Sequence, residues 1–141
     1  MSDFVFRLIP TFDRDMINED CTTLEKDSPE KEGDFSPELV EFLKEGEKYI
    51  VGKELEKRTS DHADLAGQRE LEAMLRKQEN IPAEWRKYYL IGPKTVRLFF
   101  SGSRFFPGLY WNGEQWVLSF LSIQSGFSYA GRLVRSNKLF S

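Results

Sequence analysis

The chain has 141 residues, of which 40% are hydrophobic and 30% charged, and its formal net charge is −3. This length favours one domain, and this composition is typical of a soluble globular protein. Because Cys21 and His62 are the only residues of their types, an internal disulfide, a cysteine-based zinc site and a histidine cluster are excluded within one chain.

The expected single domain, residues 1–141, divides into an acidic front part and an aromatic, basic back part. Residues 1–80 hold 12 Lys or Arg against 21 Asp or Glu, whereas residues 81–141 hold eight against two, together with 14 of the 20 aromatic residues. The start of the chain lacks the basic and apolar regions of a secretory signal, and no stretch has the length and apolarity of a membrane span. We therefore expect a cytoplasmic protein without membrane insertion.

The front part begins with a predicted strand. The segment Phe4–Ile9 has strand composition and ends at Pro10, which lacks the N–H that a strand ladder needs. Residues 11–34 are polar and rich in acids, which predicts a long loop. This expected strand needs a partner in the sheet that the later sequence forms.

Three helical segments are predicted after this loop. Ser36-Pro37-Glu38 has the composition of a helix start, and apolar residues follow at helical spacing: Leu39, Phe42, Leu43, Tyr49 and Ile50. A further turn or two is expected from Gly52 to Arg58. Ser60 or Asp61 is the expected cap of the next helix, which ends near Asn80 and carries one face of mostly apolar residues: Leu65, Gln68, Leu71, Met74, Leu75 and Gln78. We interpret these faces as core.

In the back part, the pattern changes from helical to strand periodicity after a short helical turn at residues 82–87. Strands are predicted at 88–91, 95–100, 109–111, 115–121 and 132–134, separated by Gly-, Pro-, Ser- and Asn-containing turns. Asn112-Gly113 indicates a hairpin with a two-residue type I′ turn. The order of a strand, helices and then several short antiparallel strands predicts an α+β fold class.

Residues suited to catalysis are scarce in the strand-rich part. It contains only two acids, Glu84 and Glu114, and no histidine, and the chain has no nucleophile-elbow, phosphate-loop or dinucleotide-binding motif. We interpret His62 as a surface residue of a helix start and Cys21 as an incidental thiol. We therefore expect no enzyme, no cofactor and no bound metal.

Basic residues interleaved with aromatic ones allow a nucleic-acid hypothesis for the back part. Its eight cations are Arg86, Lys87, Lys94, Arg97, Arg104, Arg132, Arg135 and Lys138, among aromatic residues such as Tyr88, Phe99, Phe105, Phe106 and Trp111. Single-stranded nucleic acid would use such residues for phosphate contacts and base stacking. The alternative is a solvated positive face that attracts the acidic front part or a neighbouring subunit. We prefer the alternative because the charges are dispersed and the whole chain is acidic.

Alternation in the predicted hairpin separates core residues from candidate contact residues. Trp116, Leu118 and Phe120 alternate with Val117, Ser119 and Leu121, so the two sets point to opposite faces. Aromatic residues mixed with small polar ones are typical of a binding surface. The candidate ligand-binding residues are Phe105, Phe106, Tyr110, Asn112, Glu114, Gln115, Val117, Ser119, Leu121, Ser122, Gln124, Ser128 and Tyr129.

Two runs, IPAEWRKYYL at 81–90 and LYWNGEQWVLSFLSIQSGFSYAGRLVR at 109–135, carry a family resemblance, with a looser echo in FLKEGEKYIVGKELEKR at 42–58. They resemble the variable region of the target proteins of diversity-generating retroelements. The framework-like positions are Trp111, Gly113, Trp116, Leu118, Phe120, Phe127, Arg132 and Leu133.

This resemblance implies a C-type-lectin-like fold, in which a strand pairs with the final strand and two helices pack on an irregular antiparallel sheet. It also implies that diversified residues between the framework positions bind a macromolecular ligand, with a protein preferred. Calcium-dependent sugar binding is not expected, because Asn112 is followed by Gly113 instead of an acid. The expectation is a non-enzymatic binding protein, with single-stranded nucleic-acid binding as the alternative.

Overall fold

A computed structural model describes residues 5–13, 22–27, 32–99 and 101–139, which form a mixed α/β arrangement with two α-helices and a large sheet. The described strands are β1 (Phe6–Leu8), β2 (Thr22–Lys26), β3 (Gly33–Val40), β4 (Tyr49–Val51), β5 (Tyr89–Ile91), β6 (Val96–Phe99), β7 (Arg104–Trp111), β8 (Trp116–Ser122), β9 (Gly126–Ser128) and β10 (Gly131–Lys138). The helices are α1 (Gly52–Thr59) and α2 (Gln68–Arg76), with 3₁₀ helices at Gln78–Asn80 and Ala83–Lys87.

The main sheet has eight strands in the order β1-β3-β10-β5-β7-β6-β2, with β8 on the second edge of β7, while β4 and β9 form a separate pair. The sheet is larger than expected, and it is mixed because β10 pairs with β5 in parallel. The final strand, β10, pairs with β3, and β1 pairs with β3 in turn. Strands from both parts of the chain therefore share one sheet.

Apolar side chains cover both faces of the sheet, as adjacent residues in two strands show. Leu90 and Val134 join the cluster formed with α2, whereas Ile91 and Leu133 join the cluster that includes Leu55 of α1. Neighbouring residues of a strand point to opposite faces. We call the face that packs against α2 the helix-covered face.

The helix predicted at Ser36-Pro37-Glu38 is wrong, because this segment is strand β3. Its burial alternates, with Phe35 and Pro37 buried and Asp34 and Glu38 exposed. β1 pairs only with the first three residues of β3, so beyond Phe35 one edge of β3 has no described neighbour. Pro37 lies in this part of the strand, where a proline is tolerated. Pairing with β10 along 35–40 outweighs the local helix signal.

The loop predicted at 11–34 is also wrong in part. Residues 22–26 form β2, which pairs with β6 through a bulge, and β3 begins at Gly33. The first predicted strand is confirmed at Phe6–Leu8. Phe4 and Cys21 lie outside the described residues.

The helical prediction near Gly52–Arg58 is confirmed by α1, whereas α2 begins at Gln68 and not at Ser60 or Asp61. Residues 64–66 instead run beside β10, where the Ala66 N–H donates to the carbonyl of Val134 at 2.7 Å. The N-terminus of α2 is held by the Glu70 carboxylate, which accepts the Gly67 N–H at 3.0 Å.

The predicted strands of the back part exist, but their lengths differ. β7 extends back to Arg104 through Pro107-Gly108, because β6 pairs with its first residues and β5 pairs with Gly108 and Leu109. Between these two strands, the Gly92 N–H donates to the Pro107 carbonyl at 3.0 Å. β10 continues to Lys138, and β4 and β9 were not predicted. The short helical turn is confirmed at Ala83–Lys87. Phe100, the end of one predicted strand, lies outside the described residues.

The hairpin turn has four loop residues instead of two, because Trp111 pairs directly with Trp116. The Asn112 side-chain oxygen accepts the N–H groups of Glu114 and Gln115, each at 2.9 Å, and Gly113 has φ +103°. This side-chain-closed turn replaces the predicted type I′ turn.

Candidate functional site

Strand alternation places the side chains of the β7–β8 hairpin on two faces. Leu109 pairs with Leu118 and Trp111 with Trp116 on the helix-covered face. The pairs Tyr110–Val117, Gly108–Ser119 and Phe106–Leu121 lie on the other face. The hairpin therefore separates framework-like residues from candidate contact residues, following the alternation in the sequence.

Five half-exposed side chains form a continuous patch on this second face, and we call the patch the tyrosine surface. Its members are Tyr89, Tyr110, Val117, Ser119 and Leu121. The ring centroids of Tyr89 and Tyr110 are 5.7 Å apart. Two phenols, one hydroxyl and two aliphatic side chains give the patch apolar area with adaptable hydrogen bonding, which suits recognition.

Gly108 allows Tyr89 and Leu121 to lie close to the sheet. A Cβ at this position would come within 2.8 Å of the Tyr89 ring and within 3.1 Å of the Leu121 side chain. A larger residue would lift both side chains. The absence of a side chain at Gly108 thus shapes the middle of the tyrosine surface.

The Tyr89 phenol lies in a partly desolvated position. Burial raises the pKa of Tyr89 above its ordinary value; a hydrogen bond with Ser119 partly offsets this rise, and nearby Tyr110 adds a small further increase. The phenol is therefore neutral at ordinary pH and able to donate a hydrogen bond to a ligand.

Three of the predicted contact residues do not belong to this surface. Phe106 is fully buried and packs edge-on against Phe127, so its prediction as a contact residue is wrong. It points toward α1, and the sequence does not reveal this second apolar cluster. Phe105 and Ser122 pair with each other on the opposite face from Tyr110, and Phe105 packs against Phe99.

The remaining candidates lie beyond the two ends of β8, in loops except for Ser128, which ends strand β9. Asn112, Glu114 and Gln115 are exposed in the hairpin loop. Gln124, Ser128 and Tyr129 follow the other end, and Tyr129 is 75% exposed. Only the hairpin strands bring the candidates together as a face, and the two loops extend it in opposite directions.

A depression of about 160 Å³ continues the tyrosine surface toward β9. Its lining includes Tyr89, Leu121, Phe127 and Ser128. Tyr49 of the adjacent strand β4 is 64% exposed and lies over Gly126. An anchoring side chain of a ligand would find an apolar floor beside exposed tyrosines here.

Two tyrosines, Tyr49 and Tyr89, were missed among the predicted contact residues. The Tyr88-Tyr89 pair carried a usable signal, because one of two adjacent strand residues must face away from the core that Leu90 enters. Tyr88 packs against the α2 cluster and Tyr89 faces the other way. Tyr49 carries no such signal, because the spacing of apolar residues in its segment predicts a helix.

The basic residues of the back part contact acids of the front part. Arg104 forms ion pairs with Glu25 and Glu56 at 2.5 and 2.6 Å, so two carboxylates balance its positive charge. Further pairs join Arg135 to Glu38, Arg135 to Asp64, and Lys138 to Glu70, each at 2.9 Å. These ion pairs bring the basic residues of the back part and the acidic residues of the front part together within one chain.

Comparison with known proteins finds no match. No family model, curated protein or solved structure is significantly similar to this chain. Within residues 5–13, 22–27, 32–99 and 101–139, no helix is long and apolar enough to cross a membrane, and no group of three or more His, Cys, Asp or Glu is placed to hold a metal ion.

Proposed function

We propose that this chain is a non-enzymatic binding protein, whose tyrosine surface and flanking loops present diversified side chains to a macromolecular ligand, most simply a protein. The observation that carries this proposal is the division of the β7–β8 hairpin. Tyr110, Val117 and Ser119 are partly exposed and lie outside both apolar clusters, while their strand neighbours Leu109 and Trp116 are buried against α2. Tyr110, Val117 and Ser119 are therefore replaceable in this proposal without loss of the core that packs against α2.

The finer fold within this proposal is C-type-lectin-like. Its support is the combination of two helices, a strand paired with the final strand, and a long hairpin beside a short extra strand. In this chain β3 occupies the place beside β10, with β1 outside it. The variable-region resemblance of residues 81–135 supports the diversified character of the surface.

A paired-library experiment tests replaceability directly. One library randomises four tyrosine-surface codons, those for Tyr110, Val117, Ser119 and Leu121. The matched library randomises four codons on the helix-covered face of the same strands, those for Leu109, Trp116, Leu118 and Phe120. We expect most members of the first library, and few of the second, to resist proteolysis when displayed on yeast.

Similar protease resistance in the two libraries would contradict the proposal, because the two faces would then be equally structural or equally free. A direct test of diversification is the surrounding DNA. A reverse transcriptase gene beside an imperfect repeat of the segment coding for residues 104–131 is expected. A genome with neither feature would leave a binding surface without the proposed source of variation.

A further inference from the structure

A second cleft in the described part of the chain is separate from the tyrosine surface and shares no lining residue with it. Its volume is about 310 Å³, within the usual range for small-molecule sites. It lies between the end of β3, the segment that follows it, β10 and the last turn of α1. The lining residues are Val40, Glu41, Phe42, Lys44, Arg58, Thr59, His62, Leu65, Leu133 and Arg135.

The floor of this cleft is apolar. Phe42, Leu65 and Leu133 are at most 8% exposed and belong to the cluster around α1, and Val40 packs against that cluster. Thr59 is also buried, and its hydroxyl donates to the Leu55 carbonyl at 2.9 Å. Its donor is therefore satisfied within the helix, and the floor offers a ligand mainly apolar contact.

The rim of the cleft carries an excess of cations over anions. The cations Lys44, Arg58 and Arg135 line it, with the exposed His62 beside them, whereas Glu41 is the one carboxylate of the lining. The Glu41 carboxylate is 3.9 Å from the guanidinium of Arg132, which reduces its repulsion of a bound anion. The charged lining groups are therefore three cations and one carboxylate.

The rim arginines are held in place by carboxylates that are not part of the lining. Arg58 donates to both carboxylate oxygens of Glu47 at 2.7 and 2.8 Å, and to Glu54 at 2.8 Å. Arg135 donates to Glu38 at 2.9 Å through Nη1, and its Nε lies 2.9 Å from the Asp64 carboxylate, so Nη2 is the part of this guanidinium that these two ion pairs leave for a ligand. Lys44 is exposed and forms no ion pair within 4 Å in the described part of the chain, while the nearby Glu47 carboxylate binds Arg58, so the ammonium group is accessible to a ligand. The rim is thus ordered on one side and available on the other.

We propose that this cleft binds a small amphipathic carboxylate. The aliphatic or aromatic part of the ligand lies on the floor formed by Val40 and Leu133, and its carboxylate lies at Lys44 and Arg135. An apolar floor alone would accept a neutral or cationic amphiphile equally well. The lining cations give the preference for an anion, because charge-assisted hydrogen bonds to a carboxylate are stronger than neutral ones. This site does not depend on the function proposed for the tyrosine surface.

Calorimetric titration with three eight-carbon probes tests the ligand class. We expect octanoate to bind the full chain, octan-1-ol to bind about tenfold more weakly, and octylamine to bind more weakly still. Absence of octanoate binding overturns the proposal. Equal affinity for octylamine also overturns it, because the rim would then not select a carboxylate.

Two variants locate the binding at this cleft. Val40→Phe fills the floor and is expected to reduce octanoate affinity more than tenfold, and Lys44→Gln is expected to reduce it about tenfold while leaving octan-1-ol affinity unchanged. Lys44 is exposed, so its variant remains informative if Val40→Phe does not fold. Unchanged octanoate affinity in Lys44→Gln overturns the assignment.

A matched control separates this site from the tyrosine surface. Val117→Phe adds the same bulk to a half-exposed strand residue outside the cleft. We expect it to leave octanoate affinity within twofold of the unmodified chain. A loss as large as that of Val40→Phe would place the probe on the tyrosine surface and overturn the proposal.

Discussion

The two faces of the β7–β8 hairpin differ in what the same strands contribute. On the helix-covered face, Leu109 and Trp116 are almost fully buried against Leu71 and Met74 of α2. On the tyrosine surface, Tyr110 and Val117 remain half-exposed. One hairpin therefore supplies both a buried core and partly exposed positions outside that core.

The helix-covered side also contains a buried polar layer, whose hydrogen bonds restrict the residues that this side accepts more than apolar packing alone would. Arg97 of β6 is 2% exposed, and its Nε donates to the Gln68 side chain at 3.0 Å. Gln68 donates to Glu72, which also accepts the Asp13 N–H at 2.9 Å. Thr95 accepts the Gln68 N–H at 2.8 Å. This layer joins β6, α2 and the front part through satisfied hydrogen bonds.

The largest effect of a single substitution in this comparison is expected for Trp116→Ala. Its side chain is 2% exposed, so its truncation should reduce the free energy of unfolding by roughly 3–5 kcal/mol through lost burial and a residual cavity. The neighbouring Val117→Ala, on the tyrosine surface, should cost about 1 kcal/mol or less. Urea unfolding of the two variants provides the measurement.

Trp116→Phe sharpens this prediction. The Trp116 indole N–H is buried without a hydrogen-bond partner among the described residues, so phenylalanine removes an unsatisfied donor as well as volume. We therefore expect Trp116→Phe to cost clearly less than Trp116→Ala. Equal losses for Trp116→Ala and Val117→Ala would show that the two faces do not differ in their contribution to stability.

A smaller but still large effect is expected for Arg97→Met. The substitution keeps most of the volume but leaves the Gln68 acceptor and its neighbours in the buried layer without the guanidinium, which should cost about 3 kcal/mol. Arg86 provides the control, because it is exposed and stacks over Trp111 at 3.8 Å from its centroid. Arg86→Met should cost at most about 1 kcal/mol.

Thermal unfolding at two salt concentrations distinguishes these arginines. Added salt screens an exposed charge more than a buried one, so the effect of Arg97→Met should change little with ionic strength. An Arg97→Met chain as stable as the unmodified one would mean that the polar layer adds no stability to the helix-covered side. The contrast between the faces would then rest on apolar packing alone.

The sequence predicts the back of the molecule better than its front, for a physical reason. The alternation of side chains from Trp116 to Leu121 is a local pattern, and it is present in β8, where the two faces of the strand contact different neighbours. At Ser36-Pro37-Glu38, the local helix signal conflicts with pairing to β10, about 100 residues away. Non-local pairing of this kind has no signature in a short window of sequence.

The candidate site is only partly predictable from the sequence for the same reason. Tyr110, Val117, Ser119 and Leu121 follow from strand alternation alone. The burial of Phe106 depends on packing against Phe127, and the position of Tyr89 depends on the space above Gly108. Each of these contacts joins segments that are distant in the chain.

The smallest effect on stability is expected for Glu47→Gln. This substitution removes the ion pair between Glu47 and Arg58, which lies on neither face of the hairpin. The Arg58 guanidinium and the Lys44 N–H lower the pKa of Glu47 to about 2. A carboxylate with a lowered folded-state pKa contributes stability above its unfolded pKa, near 4.5, and this contribution is lost as pH falls toward 2. The unmodified chain should therefore exceed Glu47→Gln in stability at pH 7, and the difference should shrink between pH 4.5 and pH 2.

Urea midpoints of both chains at pH 7, 4 and 2.5 provide the measurement, with Glu79→Gln as a control at an exposed residue of the 3₁₀ helix that follows α2. The difference between Glu47→Gln and the unmodified chain should be small, because the Glu47 side chain retains 29% exposure and a surface pair is partly offset by hydration. A difference that grows toward low pH would contradict the assigned sign. A difference as large as that of Arg97→Met would show that surface pairs and the buried polar layer stabilise this fold equally, against the contrast drawn between them.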